Sequence, residues 1–199
     1  MRPVLFLQFD GVDMGTADMV NREEFDFIRC INQYDFDNTD LNRYGGLLIP
    51  MSIDQYILQR NGKRIQQFLE AGGRVFHSGH IILPYLACLS EYKQLVPPKW
   101  RDFMVTQLMP HPVYEGYNAS ELSMNRGVAG FYSRGSNPPP VGARVITAIR
   151  NGTVPVDWEF DVGDGMLYVH AGNDLYHCSH DSKTVLHLFR NTVRYLGAE

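Results

Sequence analysis

Arg74-Val75-Phe76-His77-Ser78-Gly79-His80 is the stretch whose reading decides the fold. Residues 74–76 have strand character, follow a helix stop at Ala71-Gly72-Gly73, and run into a sharp polar turn. Residues 81–89 beyond the turn are apolar enough to predict a packed helix, with Pro84 near its first turn. Upstream, from Asp54 onward, Tyr56, Ile57, Arg64, Ile65, Phe68 and Leu69 recur at near-helical spacing, so a helix is expected to feed the strand. Helix, strand, turn, helix is the unit from which parallel sheets covered on both faces are built.

The flanking sequence extends this pattern. Residues 4–9 read as a buried strand that stops at Asp10-Gly11, and residues 47–49 as another, introduced by Gly45-Gly46 and closed by Pro50. Residues 12–23 show no helical face, and Phe25, Phe27 and Cys30-Ile31 fit strand or helix equally. Near the other end, residues 145–149, 156–160 and 166–170 read as strands, with turns at Asn151-Gly152 and Gly163-Asp164-Gly165. Residues 183–196 form an amphipathic helix that ends at Gly197. The expectation is an α/β fold with a doubly wound, mostly parallel, flavodoxin-like sheet, and one domain spanning residues 1–199. Residues 94–140, rich in proline and glycine, are expected to be an insertion or a cover over a site.

Composition narrows the function classes. With 44% hydrophobic and 20% charged residues the chain is neither disordered nor fibrous. A net charge of -4 without any basic run argues against nucleic acid and anionic membrane as partners. Cys30, Cys88 and Cys178 are odd in number and far apart, which suits a reducing, cytoplasmic setting better than a disulfide framework or a zinc site. The apolar start at residues 4–7 is too short for an export signal, and no run approaches the roughly 18 apolar residues of a membrane span, so a soluble protein is expected. Nothing in the sequence names a cofactor, and it leaves room for a homo-oligomer.

Residues 44–80, with a buried strand, an acidic connection, a helix ending in Ala-Gly-Gly and a strand into a sharp turn, resemble the central unit of class I glutamine amidotransferase-like domains. Gly72-Gly73-Arg74-Val75-Phe76-His77 is similar to the trehalose-utilisation (ThuA-like) group in particular. So is the ending Gly165-Met166-Leu167-Tyr168-Val169-His170-Ala171-Gly172-Asn173-Asp174 followed by a helix, with Asn173 where that group has a histidine. The resemblance implies a site at the turn after residues 74–76, where the amidotransferase relatives present a cysteine paired with a later histidine. Here His77 and His170 would take those places. Imidazole cannot replace a thiolate in forming a thioester, so the resemblance implies a domain without the glutaminase nucleophile.

The residues themselves allow several chemistries. A strand-to-helix turn would aim free N–H groups at one point, making His77, Ser78 and Gly79 the floor of an anion or carbonyl site. Ser78 could be a nucleophile with His80 or His170 as base, although it lacks the flanking glycines of a nucleophile elbow and a helix-capping serine is the competing reading. Of the seven histidines, His77, His80, His170, His177 and His180 fall at or just after strand ends, where Asp10, Asp174 or Asp181 could add oxygen ligands. Two bare His-x-x-His spacings are too common a pattern to assign a metal. Arg126 to Gly135 combines Arg126 and Arg134 with glycines and aromatics, as in a loop closing on a carboxylate, phosphate or sugar, or else in a surface loop pairing with the acidic excess. Asp10, Asp54, Asp157 and Asp174 suit ligand-orienting or turn-capping roles. The preferred expectation is a small polar ligand, a sugar or nucleotide derivative, at the carboxyl edge of the sheet. Its catalytic candidates are His77, Ser78 and His170; its binding candidates are Asp10, Gly79, His80, Arg126, Arg134, Asn173 and Asp174. A hydrolase using Ser78 or a histidine-bound metal is one alternative, and an interaction scaffold presenting residues 94–140 is another.

Overall fold

The apolar runs assemble into one eight-stranded sheet in a computed structural model that describes residues 1–9, 20–176 and 182–198. Its strands are β1 (Val4–Gln8), β2 (Ile28–Asn32), β3 (Gly46–Ile49), β4 (Arg74–Ser78), β5 (Thr106–Gln107), β6 (Arg144–Ile149), β7 (Val154–Val162) and β8 (Gly165–His170). They lie in the order β2-β1-β3-β4-β8-β7-β6-β5. From β2 to β8 every pairing is parallel, and from β8 to β5 every pairing is antiparallel. The parallel part has the flavodoxin-like strand order, with the winding reversing between β1 and β3. The ambiguous stretch around Cys30 is strand β2, whose register against β1 pairs Phe6 with Cys30.

Alternation divides the strand residues between two cores. Leu5, Leu7, Leu47, Ile49, Val75, Leu167 and Val169 face helices α1 (Gln55–Arg60) and α2 (Gly62–Glu70). Val4, Phe6, Leu48, Phe76 and Tyr168 face α3 (Ser182–Leu196). Each such fully buried side chain contributes roughly 1.5–3 kcal/mol, so the two helical layers fix the sheet and hence the strand ends. Asp54 caps α1 by accepting from Tyr56 N–H at 3.0 Å. At the end of α2, Gly72 takes φ +89°, and the Gly72 and Gly73 N–H groups return to the Leu69 and Phe68 carbonyls. The chain therefore drops straight into β4.

Two expectations change. Residues 81–89 are irregular rather than helical. Ile81, Tyr85, Leu86 and Leu89 are buried as the expected helix would have buried them. However, Ile81 N–H is taken by Asn137 Oδ1 at 3.0 Å, and Ile82 and Leu83 N–H by Gln55 Oε1 at 2.8 and 2.9 Å. These side chains occupy the donors that begin the segment. Residues 94–140 are more than a cover: they supply β5 and bury Leu95, Phe103, Val105, Val113, Tyr114, Leu122 and Tyr132 in the core on the α3 side. Two short ribbons, Lys93–Gln94 with Gly135–Ser136 and Met124–Asn125 with Val128–Ala129, give this segment its shape. Among the described residues no helix is long and apolar enough to cross a membrane.

Candidate functional site at the carboxyl edge

In open parallel sheets, ligands bind beyond the carboxyl ends of the strands. Next to the reversal between β1 and β3, the strands β3, β4 and β8 stop at Ile49, Ser78 and His170.

Strand geometry separates the residues that the sequence placed together. His77 points into the α1–α2 core and Ser78 to the other face. His77 is buried, with Nδ1 3.2 Å from the Tyr85 hydroxyl and Nε2 without a hydrogen-bond partner among the described residues. Burial, and then the charge of His170, pull its pKa down to about 3, so it is neutral. Ser78 lies opposite His170 across the β4–β8 register and faces the Tyr176 hydroxyl. His170 has both ring nitrogens occupied, Nδ1 against Asp157 Oδ1 at 2.7 Å and Nε2 against the Asn173 carbonyl at 2.9 Å. Two acceptors require two N–H donors, so the ring is an imidazolium. Burial opposes that charge, but the Asp157 carboxylate and the two hydrogen bonds outweigh it and hold the pKa above 6.5. Burial would likewise push Asp157 up, yet His170 together with the Thr147 and Tyr114 hydroxyls holds it below its usual range. A histidine in this state cannot take a proton from Ser78. His77, Ser78 and His170 do not converge on one reacting point.

The pair belongs to a row of acids on β7. Two residues on from Asp157, Glu159 accepts from His111, Tyr195 and Arg144 at 3.1, 3.0 and 2.8 Å. Burial alone would raise its pKa, but these donors bring it to about 2. Two residues further, Asp161 takes two bonds from Arg144 at 2.7 and 3.0 Å. This seam was missed in the sequence, where its signal is acids at every second position of a strand whose alternate residues are apolar.

The open polar surface lies just beyond the strand ends. Two cavities meet at His80, Gly172 and Asn173. One, of about 170 Å³, is completed by Gly130, Phe131, Ser133 and Arg134. The other, of about 320 Å³, is completed by Met51, Ser52, Gln55, Gly79 and Ile82. Their walls are fixed. Asn137 clamps the turn, donating to the Gly79 carbonyl at 2.8 Å and accepting from Ile81. Gln55 Nε2 donates to the His80 carbonyl at 2.6 Å. Gly79 N–H reaches the His170 carbonyl at 3.0 Å. Its φ is +106°, and a Cβ there would sit 2.9 Å from Met51 Cα. On the facing loop, Asn173 Nδ2 donates to the Phe131 carbonyl at 2.8 Å and Ser133 Oγ to the Ala171 carbonyl at 2.9 Å. Asp174, buried behind the groove, accepts from Met51 N–H at 3.0 Å. The Gly79, Ile81, Ile82 and Leu83 N–H groups are therefore engaged, and no helix follows the turn to supply the expected anion hole.

Side chains carry the remaining capacity. The exposed His80 ring stacks on Tyr92, centroids 3.7 Å apart, and burial followed by the His170 charge lowers its pKa, keeping it neutral near pH 7. The Arg134 guanidinium lies over Phe103 and is fixed by Nε donating to the Gly130 carbonyl at 3.1 Å. Of the expected binding residues, Gly79, His80, Arg134 and Asn173 line the groove, and Asp174 supports it. Arg126 sits at the tip of the 124–129 ribbon and lines neither cavity. Asp10, His177, His180 and Asp181 lie outside the described residues. Among the described residues no three His, Cys, Asp or Glu side chains are grouped to hold a metal. Gln55 and Asn137 were not singled out in the sequence, since amides that clamp a distant turn leave no local pattern.

No family model and no curated protein matches the chain. Solved structures share its fold. A cytoplasmic protein of Salmonella typhimurium, STM3548, matches with a TM-score of 0.66 and 15% identity, over 99% of this chain and 100% of that one. Another from that organism, STM1381, matches with a TM-score of 0.61 and 10% identity over 98% and 99%. An α-L-fucosidase isoenzyme 2 from Paenibacillus thiaminolyticus matches with a TM-score of 0.61 and 17% identity. This chain is covered in full by that match but spans only 33% of the fucosidase. At these identities the likeness establishes the α/β fold.

Proposed function

We propose that this chain is a glutamine amidotransferase-like domain of the ThuA-like kind, without a cysteine nucleophile, that binds a small polar ligand in the groove at His80 and Asn173. The observation that carries the reading is the junction of the two cavities at His80, Gly172 and Asn173, at the edge where this fold class binds ligands. A cavity of about 320 Å³ is at the small end of the range for ligand sites, which suits a monosaccharide or a nucleoside-sized derivative. Polar side chains with unused hydrogen-bonding capacity and an aromatic wall match what a hydroxyl-rich ligand requires. A cytoplasmic setting fits the free thiols of Cys30 and Cys88.

The test is a thermal-shift panel of monosaccharides and nucleotides against the wild type and the His80→Ala/Asn173→Ala variant. At least one compound should raise the wild-type melting temperature and lose that effect in the variant. A panel in which every stabilising compound acts equally on both proteins refutes the groove as the site.

A further inference from the structure

The groove contains an arginine held in place but not neutralised. Backbone and ring fix Arg134: its carbonyl accepts from Leu95 N–H at 2.9 Å, its Nε donates to Gly130, and its guanidinium lies 5.9 Å from the Phe103 centroid. Its two terminal nitrogens make no hydrogen bond or ion pair among the described residues. Elsewhere the fixed arginines have their terminal nitrogens in use: Arg60 on Asp37, Arg144 on Asp161, Arg190 on Glu24, and Arg74 on the Tyr195 carbonyl. The residues lining the two cavities include no aspartate or glutamate, while His80 and Arg134 both line the smaller one. A guanidinium with one edge anchored and the other open is arranged for a two-point contact with a planar or tetrahedral anion.

We infer that the ligand is an anionic sugar, carrying a carboxylate or a phosphate that Arg134 grips in the smaller cavity while the sugar ring occupies the larger one. The inference rests on the groove being the binding site. Volume supports the division: about 170 Å³ at Arg134 suits a charged group with its hydration, and about 320 Å³ beside Gln55 and Ser52 suits the ring. Asn173 and His80, common to both cavities, stand where the charged group joins the ring and can bond to its hydroxyls.

Calorimetric titration with D-glucuronate, D-glucose 6-phosphate and D-glucose, on the wild type and on Arg134→Gln and Arg134→Lys, tests it. At least one of the two acids should bind the wild type ten-fold or more tighter than glucose. That advantage should vanish in Arg134→Gln and be partly kept in Arg134→Lys, which retains charge but not the planar fork. The acid that binds distinguishes carboxylate from phosphate. Unchanged melting temperatures in both variants exclude a folding effect. Glucose binding as tightly as both acids overturns the inference and leaves the groove as a neutral-sugar site; acid binding indifferent to Arg134→Gln overturns it by removing Arg134 as the anion's partner. The absence of binding by all three overturns the inference, while the groove reading stands or falls on the thermal-shift panel.

Discussion

The buried seam along β7 and the groove beyond β4 and β8 both combine histidine with other polar groups, lie close together, and are built to opposite specifications. In the seam, His170, Asp157 and Glu159 have their hydrogen-bonding positions occupied by protein partners. In the groove, protein partners hold the Gly79, Ile81 and His80 backbone, but the His80 ring and the terminal nitrogens of Arg134 have no hydrogen-bond partner among the described residues. The first arrangement rigidifies a fold, because a paired buried charge costs several kcal/mol to uncouple. The second keeps binding capacity on a rigid support. Dense polar chemistry at a strand end is therefore no guide to a site until its saturation is known.

The largest way to break the comparison is Asp157→Ala, which leaves the His170 imidazolium buried without its counter-charge and removes the acceptor for Tyr114 and Thr147. It should cost about 3–5 kcal/mol in urea unfolding. A loss below 1 kcal/mol would show that the seam is not structural. Gly79→Ala should come next, at about 1–3 kcal/mol, because alanine must take φ +106° and press on Met51. Its effect belongs to the groove wall, so ligand affinity should fall with stability.

A pH profile sharpens the contrast. His170 has a folded pKa raised above 6.5, so its stabilising contribution is complete below 6.5 and is lost as pH rises through the folded value. Asp157 has a folded pKa below 3.8, so its contribution is complete above 3.8 and is lost as pH falls through the folded value. The melting temperature should decline on both sides, and Asp157→Asn should flatten the alkaline decline. An alkaline branch unchanged by that substitution would remove the seam from the explanation. The smallest effect on stability belongs to His80→Ala, within about 0.5 kcal/mol as for an exposed side chain, yet it should weaken ligand binding. Strong destabilisation with intact binding would reverse the roles assigned to the two regions.

How much of this the sequence disclosed depends on the range of the interactions involved. The strands at Val4, Leu47, Arg74 and Met166, the helix before Gly72-Gly73 and the final helix were all legible, because burial periodicity and glycine punctuation are local signals. The segment after His80 misled because its apolar content is helix-like, while Asn137 and Gln55, 56 and 27 residues away in sequence, take its first N–H groups. Of the residues expected to bind, His80, Arg134 and Asn173 are far apart in sequence and are brought to one cavity by the fold. The separation of His77 from Ser78 follows from strand alternation once β4 extends to Ser78, two residues beyond the expected end. The engagement of His170 could not be read, since its partner Asp157 lies on another strand and is identified only by the β7–β8 register.

Histidine ring spectra correlating ring protons with both nitrogens, recorded against pH and against whichever of D-glucuronate and D-glucose 6-phosphate binds, test the division between seam and groove most directly. At pH 6.5 His170 should be mostly doubly protonated and unmoved by the sugar acid, with His80 mostly neutral and shifted by it. A His170 ring that is neutral at pH 6.5, or that moves with the ligand while His80 does not, would contradict that division.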